Sequence, residues 1–252
     1  MTSLKKGLFS SLILLVLWYP WGLSAGETMR VVYFDNFPPF SWKGENGKMQ
    51  GIFIDVLDEV IQNHLGIRLY HEGLPWARAQ KMVKDGNADA FVTIPTPERK
   101  SYTEVSREPV LISYMTIFTK KGHEKLNALE KVNTLDDLKE YIILDYIGNG
   151  WGDKNLTGFR RDLSPRLDTV FRMLAAGRGD INITDSMVAL HRLKELNLQE
   201  EIVEIPIVLD EVPMSLCIGK YSSFAHILPE FDRTMEKLRK NSTLQSIYSK
   251  YR

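Results

Sequence analysis

One pattern occurs twice in this chain and limits what it can fold into. An apolar helix runs into a glycine-containing turn, an aspartate follows, and a short apolar strand ends on a polar residue. In the first half the turn is Lys84-Asp85-Gly86-Asn87-Ala88-Asp89-Ala90; in the second it is Ala176-Gly177-Arg178-Gly179-Asp180-Ile181. Units of this kind build mostly parallel sheets flanked by helices, joined by right-handed crossovers. Two of them predict two similar α/β lobes facing each other, with Arg99 and Asp185 on opposite walls of one cleft.

The first half reads β-α-β-α-β. Met29–Phe34 is a strand by its β-branched and aromatic content. Asp35-Asn36-Phe37-Pro38-Pro39-Phe40 is a stiff turn that displays aromatics, and Glu45–Lys48 is a hairpin-like turn. Phe53, Val56, Leu57, Val60 and Ile61 then recur at the spacing of one helical face, ended by Gly66. A strand at Ile67–His71, a helix from Pro75-Trp76 to Gly86 and a strand at Ala88–Val92 complete the run. That last strand breaks at Thr93-Ile94-Pro95-Thr96, where Thr96 is a candidate N-cap and Pro97 suits the first helical position. Arg99 falls in the first turn, just past the C-terminal end of the strand, which is where open α/β sheets bind ligands. Helix-start N–H groups and a guanidinium fork together favour a carboxylate.

The second half continues with an extended Pro109–Phe118, a capped helix start at Thr134–Lys139 and a strand at Tyr141–Leu144 running into the turn Gly148–Gly152. A helix follows over Arg166–Ala176, then a strand at Asp180–Ile183 and a helix from Thr184-Asp185 to Leu196. Met214–Ile218 is a strand, and Ile227–Tyr251 gives two amphipathic helices.

Lys5 and Lys6, the apolar run Leu8–Leu23 and the small pair Ser24-Ala25 form the pattern of a cleaved secretory signal peptide over residues 1–25. Removing Lys5 and Lys6 leaves 30 basic residues against 32 acidic ones, without a basic stripe, which excludes nucleic acid as an expected partner. Cys217 is the single cysteine, so no intrachain disulfide can form and packing must supply the stability. The five histidines, 64, 71, 123, 191 and 226, lack metal-ligand spacing. Gly148-x-Gly150-x-Gly152 is not a dinucleotide fingerprint, and neither a nucleophile elbow nor a phosphate loop is present. The expectation is a chain with no cofactor and no metal.

The ordered set Phe37-Pro38-Pro39-Phe40, Gly51-Ile52-Phe53-Ile54-Asp55-Val56, Trp76, Gly86-x-x-Asp89-Ala90 and Thr96-Pro97-Glu98-Arg99 resembles the family 3 periplasmic solute-binding proteins. Leu135-x-x-Leu138-Lys139, Gly177-Arg178-x-Asp180, Thr184-Asp185 and Ile247-Tyr248-x-Lys250-Tyr251 fit the same family, so the resemblance covers the mature chain. It implies a two-lobed venus-flytrap fold of type II. Lobe 1 would be residues 26–110 with 213–252 and lobe 2 residues 111–212, with crossings near Val110 and Val212. In amino-acid binders of this family the arginine matching Arg99 clamps the ligand carboxylate, and the acid matching Asp185 receives its ammonium group. The aromatic matching Phe37 packs on the ligand, and the position of Trp76 lines the same wall.

The chain departs from the family pattern at Ile94, where serine or threonine is usual, and at Val92, where glycine is common. Gly148-Asn149-Gly150 stands for the usual Gly-Thr or Gly-Ser turn. Ile94 and Asn149 are therefore counted with the expected wall residues, and Arg78 is a second candidate cation. The resemblance implies a monomeric periplasmic protein that performs no chemistry. It would capture a small polar, carboxylate-bearing ligand such as an amino acid and deliver it to an ABC permease. Two rivals share the scaffold. One is a cyclohexadienyl-dehydratase-like enzyme, for which Glu98 or His191 would supply the acid or base; the other is a ligand-sensing partner of a membrane receptor.

Overall fold

The computed structural model describes residues 27–147 and 149–251. The expected signal peptide lies outside the described residues. Among those described, no helix is long and apolar enough to cross a membrane.

The chain opens with β1 (Thr28–Phe34), then a small antiparallel sheet of β2 (Asn36–Phe37), β3 (Ser41–Lys43) and β4 (Met49–Gln50). Helix α1 (Ile52–Leu57) passes into a π-helical turn, 58–64, which carries the expected apolar face onward through Val60 and Ile61. Strand β5 (Arg68–Leu74), α2 (Trp76–Lys84), β6 (Ala90–Thr93), α3 (Pro97–Tyr102) and β7 (Thr103–Val105) follow. Strand β8 (Leu111–Lys120) leads to α4 (Leu126–Leu129), β9 (Ile143–Tyr146), α5 (Gly150–Asn155) and β10 (Arg161–Ser164). Then come α6 (Leu167–Ala175), β11 (Ile181–Asp185), α7 (Ser186–Glu195), β12 (Ile202–Gly219), α8 (Leu228–Lys240) and α9 (Thr243–Ser249).

The strands order as β10-β9-β11-β8-β12-β6-β1-β5, with β7 beside β12. Within each lobe three strands pair parallel: β5-β1-β6 in one and β10-β9-β11 in the other. Strand β8 runs antiparallel to β11, β12 runs antiparallel to both β8 and β6, and together they link the two halves. Strand β12 pairs with β8 from Ile202 to Met214 and with β6 from Ser215 to Ile218. It is far longer than the strand expected at Met214–Ile218. Its polar residues Glu204, Asp210 and Glu211 break the apolar pattern, but pairing with β8 holds them in extended backbone. A register shift between Ile205 and Asp210 marks a bulge in this return strand.

Each lobe has a core on both faces of its sheet. In the second, Ile117 and Ile143 enter one cluster and their neighbours Phe118 and Leu144 the other, as strand alternation requires. In the first, Val31 and Ala90 face one cluster while Val32 and Phe91 face the opposite one. The strand expected at Tyr141–Leu144 sits two residues later, because Tyr141 buries its ring among Leu129 and Leu138 instead of extending. The lobes also touch: Val188, Met187 and Leu167 pack on the lobe-1 core, and Trp42 meets His191 with ring centroids 5.9 Å apart.

Candidate ligand-binding cleft

Strands β6 and β11 both end at the crossing. Thr93, the last residue of β6, is in register with Ser215, and Ser113 of β8 is in register with Val212. Those two positions on β12 are three residues apart, roughly 10 Å along a strand. Strand β11 opens directly into α7 and β6 reaches α3 after three residues, so two helix starts from different lobes lie close to the crossing.

On the lobe-1 side, Thr96 caps α3 by accepting from the Arg99 N–H at 3.3 Å, and Pro97 occupies the first turn. Arg99 Nε donates to Gln80 Oε1 at 3.0 Å, and Nη1 donates to the Ile94 carbonyl at 2.9 Å. The guanidinium carbon stands 5.3 Å from the centre of the Trp76 ring, which packs edge-on against Phe91. Burial pulls the Arg99 pKa below its ordinary value, partly countered by the nearby Tyr102, Cys217 and Glu98. Of the five guanidinium N–H groups, both on Nη2 and one on Nη1 have no partner among the described residues.

Gln80 was not legible as a site residue, although it follows Trp76 by four positions and so shares its helix face. Arg78 follows Trp76 by two, which turns it to the opposite side of α2, and its side chain is exposed. The structure therefore brings Trp76, Gln80, Ile94 and Arg99 together and leaves Arg78 apart. Phe37 is half-buried against the lobe-1 core, with its ring 5.1 Å from Phe40 and 6.0 Å from Phe34. Ile94 is half-buried on the same core.

On the lobe-2 side, Asp185 caps α7. Its Oδ1 accepts from the Val188 N–H at 2.7 Å and its Oδ2 from the Ser113 hydroxyl at 2.5 Å. The carboxylate is buried and each of its oxygens accepts from a donor; among the described residues no cation pairs with it. Burial drives its pKa up to about 6, the Ser113, Val188 and Met187 donors oppose that, and the charge of Glu204 adds to it. Tyr146, at the end of β9, is pushed up to about 12 by burial and by the charges of Asp145 and Asp185. This wall is thus acidic. The Ser113 bond to Asp185 and the nearness of Tyr146 depend on strand register, which local sequence does not show.

Asn149 is buried and its side chain is committed within its own lobe. It accepts from the Gly152 N–H at 3.2 Å, capping α5, and donates to Asp145 at 2.9 Å. Asp145 in turn pairs with Arg161 at 2.7 Å. Glu98 is exposed on α3, and His191 lies 3.5 Å from Glu195. Among the described residues no group of His, Cys, Asp and Glu side chains is placed to hold a metal ion.

Residues 29–252 match the family model for bacterial extracellular solute-binding proteins, family 3. The chain belongs to that family. Among curated relatives of this solute-binding protein, the L-cystine-binding protein TcyJ of Escherichia coli K12 is 24% identical over 229 residues, 89% of this chain and 82% of TcyJ. Among solved structures, an ancestral arginine-binding protein bound to arginine superposes with a TM-score of 0.65 at 26% identity, covering 89% of this chain and 97% of its own. AncCDT-1, an ancestral amino acid-binding protein described as a precursor of cyclohexadienyl dehydratase, gives 0.64 at 23%, covering 89% and 95%. The fold of this family-3 protein is the two-lobed, venus-flytrap type.

Proposed function

We propose that this protein captures a small ligand carrying both a carboxylate and a cationic nitrogen, an amino acid or a near relative, by closing its lobes around it. Lobe 1 comprises residues 26–110 and 213–252, lobe 2 residues 111–212, and β8 and β12 carry the hinge between them. The carrying observation is the buried Asp185 carboxylate, which has hydrogen-bond donors but no cation among the described residues. Such a charge is costly unless a partner arrives. Arg99, with three N–H groups unengaged, supplies the opposite pole in the other lobe. A zwitterion needs a fixed anion and a fixed cation at its two ends, and the half-buried faces of Trp76 and Phe37 add apolar area beside the cation.

The names of the relatives support this class of ligand. TcyJ is a cystine-binding protein, and the ancestral structure holds arginine. In this reading the protein is exported behind its N-terminal leader, works as a monomer in the periplasm, delivers its ligand to an ABC permease and returns that ligand unchanged. Arg78 and Asn149 act at a distance from the ligand or not at all.

Mass spectrometry of small molecules released when purified protein is denatured tests the reading. An amino acid or another zwitterion in stoichiometric amount is the expected result. A purely anionic or sugar ligand, or conversion of the bound molecule on long incubation, overturns it.

A further inference from the structure

Gln80 shares the α2 face of Trp76 and the resemblance assigns it no ligand contact, yet it holds Arg99, the cation of the lobe-1 wall described above. Its Oε1 takes the Arg99 Nε proton at 3.0 Å, the Ile94 carbonyl takes one Nη1 proton at 2.9 Å, and the Trp76 ring lies 5.3 Å from the guanidinium carbon. A planar group held at Nε, at Nη1 and over one face is restricted in its rotation. The N–H groups without a partner among the described residues are the two on Nη2 and one on Nη1.

The chemistry of the holder matters as much as its position. An amide oxygen accepts the Nε proton and carries no charge, so Arg99 keeps its full positive charge for an incoming anion. A carboxylate at the same place would hold the guanidinium equally well and neutralise it.

We propose that Gln80 is a positioning residue for ligand capture: it fixes Arg99 through Nε and leaves the unpartnered Nη N–H groups to the ligand carboxylate, without touching the ligand itself. The proposal rests on the carboxylate reading of Arg99 given above. It assigns Gln80 a part in affinity that acts wholly through Arg99, and it explains why a half-buried amide sits on α2 facing Trp76.

Two variants separate this from a merely structural role. Gln80→Leu removes the acceptor; Gln80→Glu keeps it and adds a negative charge. Calorimetric titration with L-cystine and L-arginine is expected to show at least tenfold weaker binding for Gln80→Leu. Gln80→Glu is expected to bind weaker still, while its ligand-free melting temperature stays equal to or above that of the wild type. Loss of affinity without loss of stability is the mark of the positioning role. Wild-type affinity in Gln80→Glu, or a fall in affinity of either variant matched by a fall in ligand-free stability, overturns it.

The ligand-free protein gives an independent reading. The Arg99 Nε–H resonance in a nitrogen-15 spectrum is expected to be sharp and slow to exchange in the wild type and broadened by exchange in Gln80→Leu. Identical resonances overturn the proposal. If the wild type binds neither L-cystine nor L-arginine, the amino-acid reading fails on those probes, and the resonance still decides whether Gln80 holds the guanidinium.

Discussion

The Ser113 hydroxyl donates to Asp185 Oδ2 across 2.5 Å, joining the first crossing strand to the start of α7. The Val188 N–H binds the other oxygen, so the carboxylate is solvated by the protein but not neutralised by it. A site with these properties trades stability for ligand affinity.

The pKa of Asp185 gives that trade a sign. Its folded value is raised to about 6, mainly by burial, whereas an unfolded aspartate titrates near ~3.9. Between those values the folded state holds more protons than the unfolded one. Stability from this group is therefore full below about pH 4 and falls as pH rises to about 6, by ~3 kcal/mol in all. Asp185→Asn removes the dependence and keeps a competent N-cap. Urea unfolding at pH 4 and pH 7 should show the variant gaining on the wild type by a few kcal/mol at the higher pH. A constant difference between the two proteins would exclude a buried, unpaired charge here.

The same group makes ligand capture depend on pH in the opposite sense. Below about pH 6 the empty site holds a proton on Asp185 that a cationic ligand must displace. Affinity for L-arginine or L-cystine should fall as pH drops through 6, approaching tenfold per unit, with proton release on binding. Calorimetry at pH 5 in buffers of different ionisation enthalpy measures that release directly. Heats that do not change with buffer would place the ligand's cation elsewhere.

Arg99→Ala should lower affinity by ~2–5 kcal/mol, because it leaves a ligand carboxylate in the closed cleft without its partner. Arg99→Lys should recover little, since an ammonium cannot reproduce the fork or the contact with Trp76. A thermal-shift titration of the three proteins reads both effects. Tight binding by Arg99→Ala would make the residue structural, a role its bonds to Gln80 and Ile94 already allow.

What the sequence disclosed and what it withheld divide along a physical line. Thr96, Pro97 and Arg99 were legible because a cap, a fixed proline φ and a first-turn residue are local features. Asp185 was legible for the same reason, as the cap of α7. The long return strand β12 was not, since its extended backbone is imposed by β8 and not by its own composition. The Ser113 bond to Asp185 and the nearness of Tyr146 likewise depend on strand register. Asn149 shows the limit of position-matching: it sits where a ligand-holding turn was expected, but its amide is used by Asp145 and the Gly152 N–H.

That amide belongs to an ionic cluster centred on the buried Asp145, with Asp153 at its exposed edge. Asp145 is fully enclosed and meets Arg161 through two guanidinium nitrogens, Nη2 at 2.7 Å and Nε at 3.2 Å, while Nη2 also reaches Asp153 at 3.0 Å. Arg161→Met should cost ~3–5 kcal/mol by leaving the Asp145 charge unpaired. Adding Asp145→Asn should restore much of that loss, since no charge is then buried. Denaturant midpoints for the two variants check this, and an unaltered ligand affinity in the double variant would separate the cluster from the binding cleft.

Trp42, on the small sheet of lobe 1, meets His191 of α7 in lobe 2 with ring centroids 5.9 Å apart, and it meets Tyr251 edge-on at 6.2 Å. The ring therefore bridges the lobes while anchored in one of them. Such an aromatic contact is worth ~0.5–1.5 kcal/mol, and it exists only when the lobes are near each other, so it favours the closed form by that amount. Trp42→Ala should then shift the ligand-free population toward the open form and weaken ligand binding roughly threefold to tenfold. The loss should fall mainly on the dissociation rate, because opening precedes release. Small-angle scattering should give a larger ligand-free radius of gyration for the variant, and the two proteins should converge once saturated with ligand. Equal radii without ligand, together with equal dissociation rates, would mean that Trp42 and His191 meet without helping to hold the lobes shut.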